Sequence, residues 1–561
     1  MLGVAMLISR RSLLSTVALA PLGAGSAAGQ ARFGTARTVA EWAFRSGKSY
    51  ADPFQEVELD VAFSGPDGIK SKVPAFWDGE SVWRVRYAPP APGRYTWSTI
   101  CNDRANPDLH GVSGTLEVAA YAGRNPLYLH GPIRVAADRR HFEHADGTPF
   151  FWLGDTWWMG LCQRLRWPED FQALAADRVA KGFSVVQIVA GLYPDMPPFD
   201  PRGKNEAGYP WESGFARIQP AYFDAADVRI QYLVDRGLMP CIVGCWGYFL
   251  PLMGLAKMKQ HWRYLVARWG AYPVVWCLAG EGTMPFYLSK TPKQDSAAQK
   301  QGWTEVARYV REIDPARHVI TIHPSQTARD SVEDPEVLDF DMLQTGHSDR
   351  ASYPTTVNRV TESLTRTPPM PVLVGEVCYE GILEASREEV QRFVFWASIL
   401  SGAAGHTYGA NGIWQVNRAD QPYGLSPHGH SWGDTPWDVA ARLPGSRQLG
   451  IAKALLARYR WWRLEPHPEG VEPHWTRENY LLPYAARIPG EAHLVFLPAG
   501  RTSVKVRNLE AGLRRAFFFN PSDGSEHLIG TASPDSSGVW QAPDAPIFRD
   551  WVLVVDKGAL P

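Results

Sequence analysis

The chain has 561 residues, 45% hydrophobic and 20% charged, which are ordinary globular values on a length too great for one core. Lys and Arg number 57 against 58 Asp and Glu, so the net charge is −1; with no long basic run, nucleic acid is not an expected partner. The high aromatic load of 23 Trp, 21 Tyr and 23 Phe is expected mostly to fill cores, with the remainder offering flat faces on which sugar rings can stack.

Residues 1–31 have the pattern of an export signal of the twin-arginine type. Arg10-Arg11 precede an apolar, Ala-rich stretch and then small residues near Ala28 and Ala31. A soluble periplasmic or secreted protein is the expectation, because no later apolar run is long enough to span a membrane. Residues 34–120 alternate apolar and polar, as in Val57–Phe63 and Val82–Tyr87, between turn clusters such as Gly65-Pro66-Asp67-Gly68. This predicts an immunoglobulin-like β-sandwich.

Residues 121–460 alternate strand and helix signals, the pattern of a parallel sheet. Strands are expected at Phe150–Leu153, Val185–Val189, Met239–Gly244, Val274–Leu278, Val319–His323, Met342–Gln344, Val372–Val374 and Ala403–His406. Helices are expected at Trp167–Lys181, Tyr222–Arg236, Gln260–Trp269, Ala297–Ile313 and Arg387–Leu400. Eight strands with interleaved helices predict a (β/α)8 TIM barrel, an α/β fold. The Pro-, Gly- and Asp-rich stretch from Asp195 to Tyr209 is expected to be a long loop over its mouth. Residues 461–561 return to β alternation and predict a second sandwich, with strands that include Ala492–Leu497, Thr502–Val506 and Asp550–Val555. The six cysteines are scattered without metal-type pairs, so free buried thiols are expected.

Two segments carry the chemistry. PVVWCLAGEG and PVLVGEV are apolar runs that end in glycine and then Glu281 and Glu376, 95 residues apart. That gap fits three βα units and places the glutamates at the ends of strands 4 and 7, where barrels keep their catalytic groups. Two carboxyls facing each other there are the equipment of glycoside hydrolysis. Glu281 is expected to serve as acid/base and Glu376 as nucleophile; the plain alternative is that either is a structural acid paired with an arginine.

Candidate substrate-binding residues stand at or after the other strand ends: Asp155, Trp157 and Trp158 in FFWLGDTWW, Gln187, Trp246, His323, His347, Tyr379, Tyr408 and Trp414. For Asp155 the alternative is a helix cap; for a lone histidine it is a satisfied structural side chain. No HExxH, phosphate loop, dinucleotide fingerprint or GxSxG elbow occurs, so neither a metal nor a cofactor is expected.

Taken together, FFWLGDTWW, VVWCLAGEGT and PVLVGEVCYEG resemble the apiosidase-like glycoside hydrolases. SYADPFQEVELDV with PAFWDGESVWRVRYAPPAPGRYTW is similar to the sandwich that often precedes that catalytic domain. LPAGRTSVKV through DWVLVV resembles a C-terminal sandwich sometimes labelled collagen-binding. The resemblance implies a retaining barrel glycosidase with Glu281 and Glu376 as its carboxylates. The chain departs from the family at strand 4, where apiosidases tend to carry Gly-Gly-Asp and this sequence has Ala279-Gly280-Glu281. The wider clan often has Asn where Gly280 stands. The expected substrate is a cell-wall glycan bearing apiose or another furanose such as arabinofuranose, cleaved by exo action. A non-catalytic carbohydrate-binding protein on the same barrel is the alternative. Linkage and oligomeric state are not legible.

Overall fold

The computed structural model describes residues 31–498, 503–510, 512 and 514–558; the export-signal pattern and Thr502 lie outside these. In the middle of the chain, eight parallel strands form one sheet. They are β1 (Trp152–Trp157), β2 (Val185–Val189), β3 (Met239–Val243), β4 (Val275–Cys277), β5 (Ile320–Thr321), β6 (Asp341–Gln344), β7 (Val372–Glu376) and β8 (Gly405–Tyr408). All eight are buried along their length, because helices cover one face and the barrel interior the other. Their order is β5-β4-β3-β2-β1-β8-β7-β6, so the barrel closes between β5 and β6.

Among the described residues, β5 and β6 share no ladder. Their seam is held by Asp339 N–H donating to the Ile320 carbonyl (2.8 Å), Ile320 N–H donating to Asp339 Oδ2 (2.6 Å), and the Thr321 hydroxyl donating to the Phe340 carbonyl (3.0 Å). Below the barrel, a short antiparallel sheet of Ile133–Val135, Phe142–His144 and Pro149–Phe150 stoppers the interior. Phe142 meets Phe340 edge-on at 5.1 Å and Trp152 at 5.8 Å.

The helices follow from their apolar spacing. Helix Glu169–Ala180 begins on acidic Glu169 and Asp170, which suit the positive end of its dipole, and buries Phe171, Leu174, Ala175 and Arg178 on one stripe. Helices Pro220–Asp235, Leu255–Trp269, Pro292–Ile313 and Glu388–Leu400 match the expected ones, most with a longer first turn. Ser352–Ser363 and Pro444–Leu456 are further helices that the sequence pattern did not mark.

Two strands run further than the apolar pattern indicated. Phe150 belongs to the stopper sheet, and β1 starts at Trp152 and continues through Asp155 to Trp157. Likewise β8 reaches Tyr408. A β-bulge lies between β6 and β7: Leu343 pairs with Val374, but Gln344 pairs with Glu376, leaving Gly375 as the extra residue. A Cβ at Gly375 would lie 2.3 Å from Met342 Cγ, so only glycine fits there.

The flanking domains are β-sandwiches. The first packs the sheet ordered Ala31–Thr35, Ser113–Ala119, Gly93–Cys101, Leu59–Ser64, Lys70–Pro74 over the three strands Ala40–Arg45, Val82–Tyr87, Phe76–Trp77. Phe63 stacks on Tyr87 in its core at 4.0 Å. The second has a six-stranded sheet centred on Ala492–Leu497 and Trp551–Asp556. Buried ion pairs join both to the barrel: Arg86 to Asp227 at 2.6 Å, and Arg392 to both oxygens of Asp550 at 2.6 and 2.9 Å. Among the described residues 17 of the 23 tryptophans are buried, eleven of them fully, so most of the indole surface is core. All six cysteines are free and buried. No helix among the described residues is long and apolar enough to cross a membrane.

Candidate active site

Side chains alternate along a strand, so position parity decides which of them reach the barrel interior. On β7 the bulge at Gly375 re-aims Glu376 at the mouth, where it is 4% exposed. On the β4 side the chain leaves the sheet after Cys277 and turns sharply at Glu281, whose φ of +43° lies in the left-handed region. A non-glycine residue held there costs on the order of 1–3 kcal/mol and is typical of functional sites. Gly280 lets the chain pass directly against Trp246. Trp246 lies so close that a Cβ at position 280 would meet its ring at 2.1 Å. The position where the wider clan often has Asn is therefore occupied by the face of Trp246.

The two carboxylates share one partner. Gln344 Nε2, at the end of β6, donates to Glu281 Oε1 at 3.2 Å and to Glu376 Oε1 at 2.9 Å. Those two oxygens therefore lie no further than about 6 Å apart, the range of a paired glycosidase site. Trp246 Nε1 approaches Glu281 Oε2 at 3.3 Å. Two imidazoles attend Glu376: His347 Nε2 at 2.7 Å from Oε1, and His323 Nε2 at 3.1 Å from Oε2. The main-chain N–H of Glu281 donates to His323 Nδ1 at 3.5 Å, while His323 Nε2 stands beside Glu376 Oε2 without the geometry of a hydrogen bond.

These surroundings push the carboxyls apart. Burial raises Glu281, and the negative charge of Glu376 raises it further, against smaller opposing effects of His323 and Gln344. Glu376 is also buried, but His323 and His347 outweigh that cost and hold it well below the usual carboxylate range. Burial works to lower His347, yet its bond to Glu376 and the nearby Glu281 leave it raised. The two carboxyls are thus pushed in opposite directions, Glu281 toward its protonated form and Glu376 toward its ionised form, a division that suits acid and nucleophile.

Aromatic side chains wall the cleft. Trp158, just past β1, donates from Nε1 to the Tyr379 hydroxyl at 3.0 Å and meets Trp246 and His323 edge-on at 5.5 and 5.2 Å. Tyr379 lies 4.8 Å from the His347 ring and near-parallel to Trp414 at 6.2 Å. Glu281, Glu376, Trp158, Trp246, His323, His347, Tyr379 and Trp414 thus assemble in one place.

Four expected binding residues do not face the cleft. Asp155 sits on the outer face of β1, fully buried, accepting from Arg178 Nε and from Trp157 Nε1, both at 2.6 Å. Trp157 shares that face and meets Phe171 of the covering helix at 5.6 Å. Tyr408, paired with Asp155 across the β1–β8 ladder, points the same way and donates to Glu380. Because β1 and β8 continue through these residues, they are strand positions of outward parity, not loop residues at the mouth. Gln187 does face inward, but it donates to the Gly375 carbonyl at 2.7 Å and serves as a strut beneath the bulge. His406, beside Tyr408, packs on Phe395, and burial pushes it down to about 3.

The residue that sequence reading passed over is Gln344. It closes an apolar strand in the same way as the two glutamates, and its place at a strand end was the available signal. Glu380 was also passed over. It lies behind the sheet, where burial pushes it up to about 7.

The family description "Apiosidase-like, catalytic domain" matches residues 136–463, more than half of the chain and the whole of the barrel with its site. The chain belongs to the apiosidase-like family. A domain of unknown function (DUF5060) matches residues 38–102, within the first sandwich of this family member. No curated protein matches the sequence. Among solved structures, a glycoside hydrolase family 5 protein from Bacteroides vulgatus is 24% identical with a TM-score of 0.65, over 78% of this chain and 96% of that one. Another Bacteroides vulgatus protein described as a glycoside hydrolase is 17% identical with a TM-score of 0.68, over 94% of this chain and all of the other. At these identities the likeness is one of fold, and it extends over the sandwiches as well as the barrel.

Proposed function

We propose that this chain is an exported retaining glycoside hydrolase that releases a furanose, such as apiose or arabinofuranose, from a cell-wall glycan. The observation that carries the reading is that two carboxyls, bridged by one amide and with oxygens no more than about 6 Å apart, have their pKa values pushed in opposite directions by their own neighbours. In the first step Glu281 gives its proton to the leaving oxygen while Glu376 attacks the anomeric carbon, forming a glycosyl ester. In the second step Glu281, now ionised, takes a proton from water as the water displaces Glu376 and regenerates the starting pair. Gln344 bridges both carboxyls and keeps them in register through both steps. Trp158, Trp246 and Trp414 give the apolar walls against which a sugar ring packs.

Glu376→Ala should abolish turnover of p-nitrophenyl apiofuranoside and arabinofuranoside while leaving thermal unfolding cooperative. The product anomer, followed by NMR from the wild type, should retain its configuration. Inversion, or wild-type rates in the variant, would remove Glu376 from the role of nucleophile.

A further inference from the structure

The loop that carries Glu281 continues to Tyr287, and there it meets two others: the loop after β2, through Asp195, and the loop after β8, through His428. The Asp195 main-chain N–H donates to the Tyr287 hydroxyl at 3.1 Å, and the His428 ring meets Tyr287 edge-on at 5.0 Å. Asp195 is only 3% exposed and has a φ of +61°, a strained backbone on a long loop. Among the described residues, neither its Oδ2 nor the buried Ser426 hydroxyl near it has a hydrogen-bond partner. Burial pushes Asp195 up, and the charge of His428 is among the smaller opposing influences. A buried carboxylate oxygen without a donor is costly.

The direction of the cleft gives it a use. Tyr423 joins this junction to the cleft, its ring 5.9 Å from that of Trp414 and its hydroxyl donating to the Pro194 carbonyl at 3.4 Å, and Tyr287 follows Glu281 on the same loop. A general acid stands beside the leaving oxygen, and whatever is attached to that oxygen extends past it. We infer that Asp195 accepts hydrogen bonds from hydroxyls of the leaving group, and that this makes the enzyme selective for a polyhydroxylated, sugar-like aglycone over an apolar one. Tyr287 and Trp432 would flank that group. The inference rests on the glycosidase reading given above.

The test compares aglycones. Asp195→Asn keeps the size of the side chain and tolerates the left-handed backbone. Its kcat/KM on pectic and arabinan oligosaccharides should fall about a hundredfold, while p-nitrophenyl apiofuranoside and arabinofuranoside stay within about threefold of wild type. Equal losses on both classes would make Asp195 a structural residue, and no loss on either would leave it without a role; each result overturns the inference. If Asp195→Asn does not fold, Tyr287→Phe, which unties the Asp195 main chain, is read by the same two outcomes. If the wild type hydrolyses none of these probes, it is the glycosidase reading that fails. Calorimetry of the same oligosaccharides on Glu376→Gln and on Glu376→Gln/Asp195→Asn then decides the inference by itself. A tenfold or greater loss of affinity in the double variant supports it; equal affinity, or no binding by either, overturns it.

Discussion

Glu281 and Glu376 are the same residue type at the ends of two strands of one barrel, and their different chemistry comes from what touches them. Glu376 has two imidazoles, whereas Glu281 has an indole N–H, a share of one amide and the charge of its partner. The sign of the pH dependence follows. Glu281 works in its protonated form, and its raised pKa keeps it protonated beyond the ordinary glutamate range, so kcat/KM should fall as pH rises through that raised value. Glu376 works ionised, and its depressed pKa puts the acidic limb at much lower pH. Glu281→Gln should therefore erase the alkaline limb. It should cost roughly 10²- to 10⁴-fold on substrates with poor leaving groups and far less on p-nitrophenyl glycosides. A pH profile of kcat/KM with both substrate types measures this; an unchanged alkaline limb would take the acid's role from Glu281.

At the scale of elements, the legible and the illegible separate cleanly. The strands that end in the two glutamates could be read because glycine and a carboxylate interrupt an apolar run. The parity of β1 and β8 could not, because a parallel strand buried on both faces has no alternating pattern. Asp155 and Tyr408 are polar residues near a strand end, like Glu376, yet one strand residue more or less puts a side chain on the opposite face. Their true partners, Arg178 and Glu380, lie 23 and 28 residues away in sequence. Behind the sheet, Glu380 accepts from Tyr408 and from Gly445 N–H in the first turn of helix Pro444–Leu456, tying β8 to that helix. Its carboxyl, raised to about 7 chiefly by burial, binds a proton more readily folded than unfolded. The stability it contributes is therefore complete below the unfolded value, near the ordinary 4.5, and is lost as pH climbs through about 7. Glu380→Gln, which stays neutral, should recover up to roughly 3 kcal/mol of that loss. In thermal melts the fall in Tm between pH 5 and pH 8 should shrink; a fall as large as that of the wild type would exclude Glu380 as its source.

Across the whole molecule, the two sandwiches and the stopper sheet brace the barrel from its sides and its lower end, and the mouth is left to the long loops. The domain order was plain from the switches of periodicity along the chain. How the domains lock together was not, since Arg86 with Asp227 and Arg392 with Asp550 are ion pairs 141 and 158 residues apart in sequence. The bracing is uneven around the barrel wall. Ladders run continuously from β5 through β1 to β6, but the closure between β5 and β6 rests on a few bonds, two of them made by side chains. His323 follows one lip of that closure and Gln344 ends the other. The groups that clamp Glu376 thus stand on either side of the least-laced part of the wall. In deuterium, the amides of Ile320–His323 should exchange sooner than those of Val185–Val189, and a sugar held between His323 and Gln344 should slow them. The seam would then report occupancy of the cleft from beneath it, without any label on the ligand.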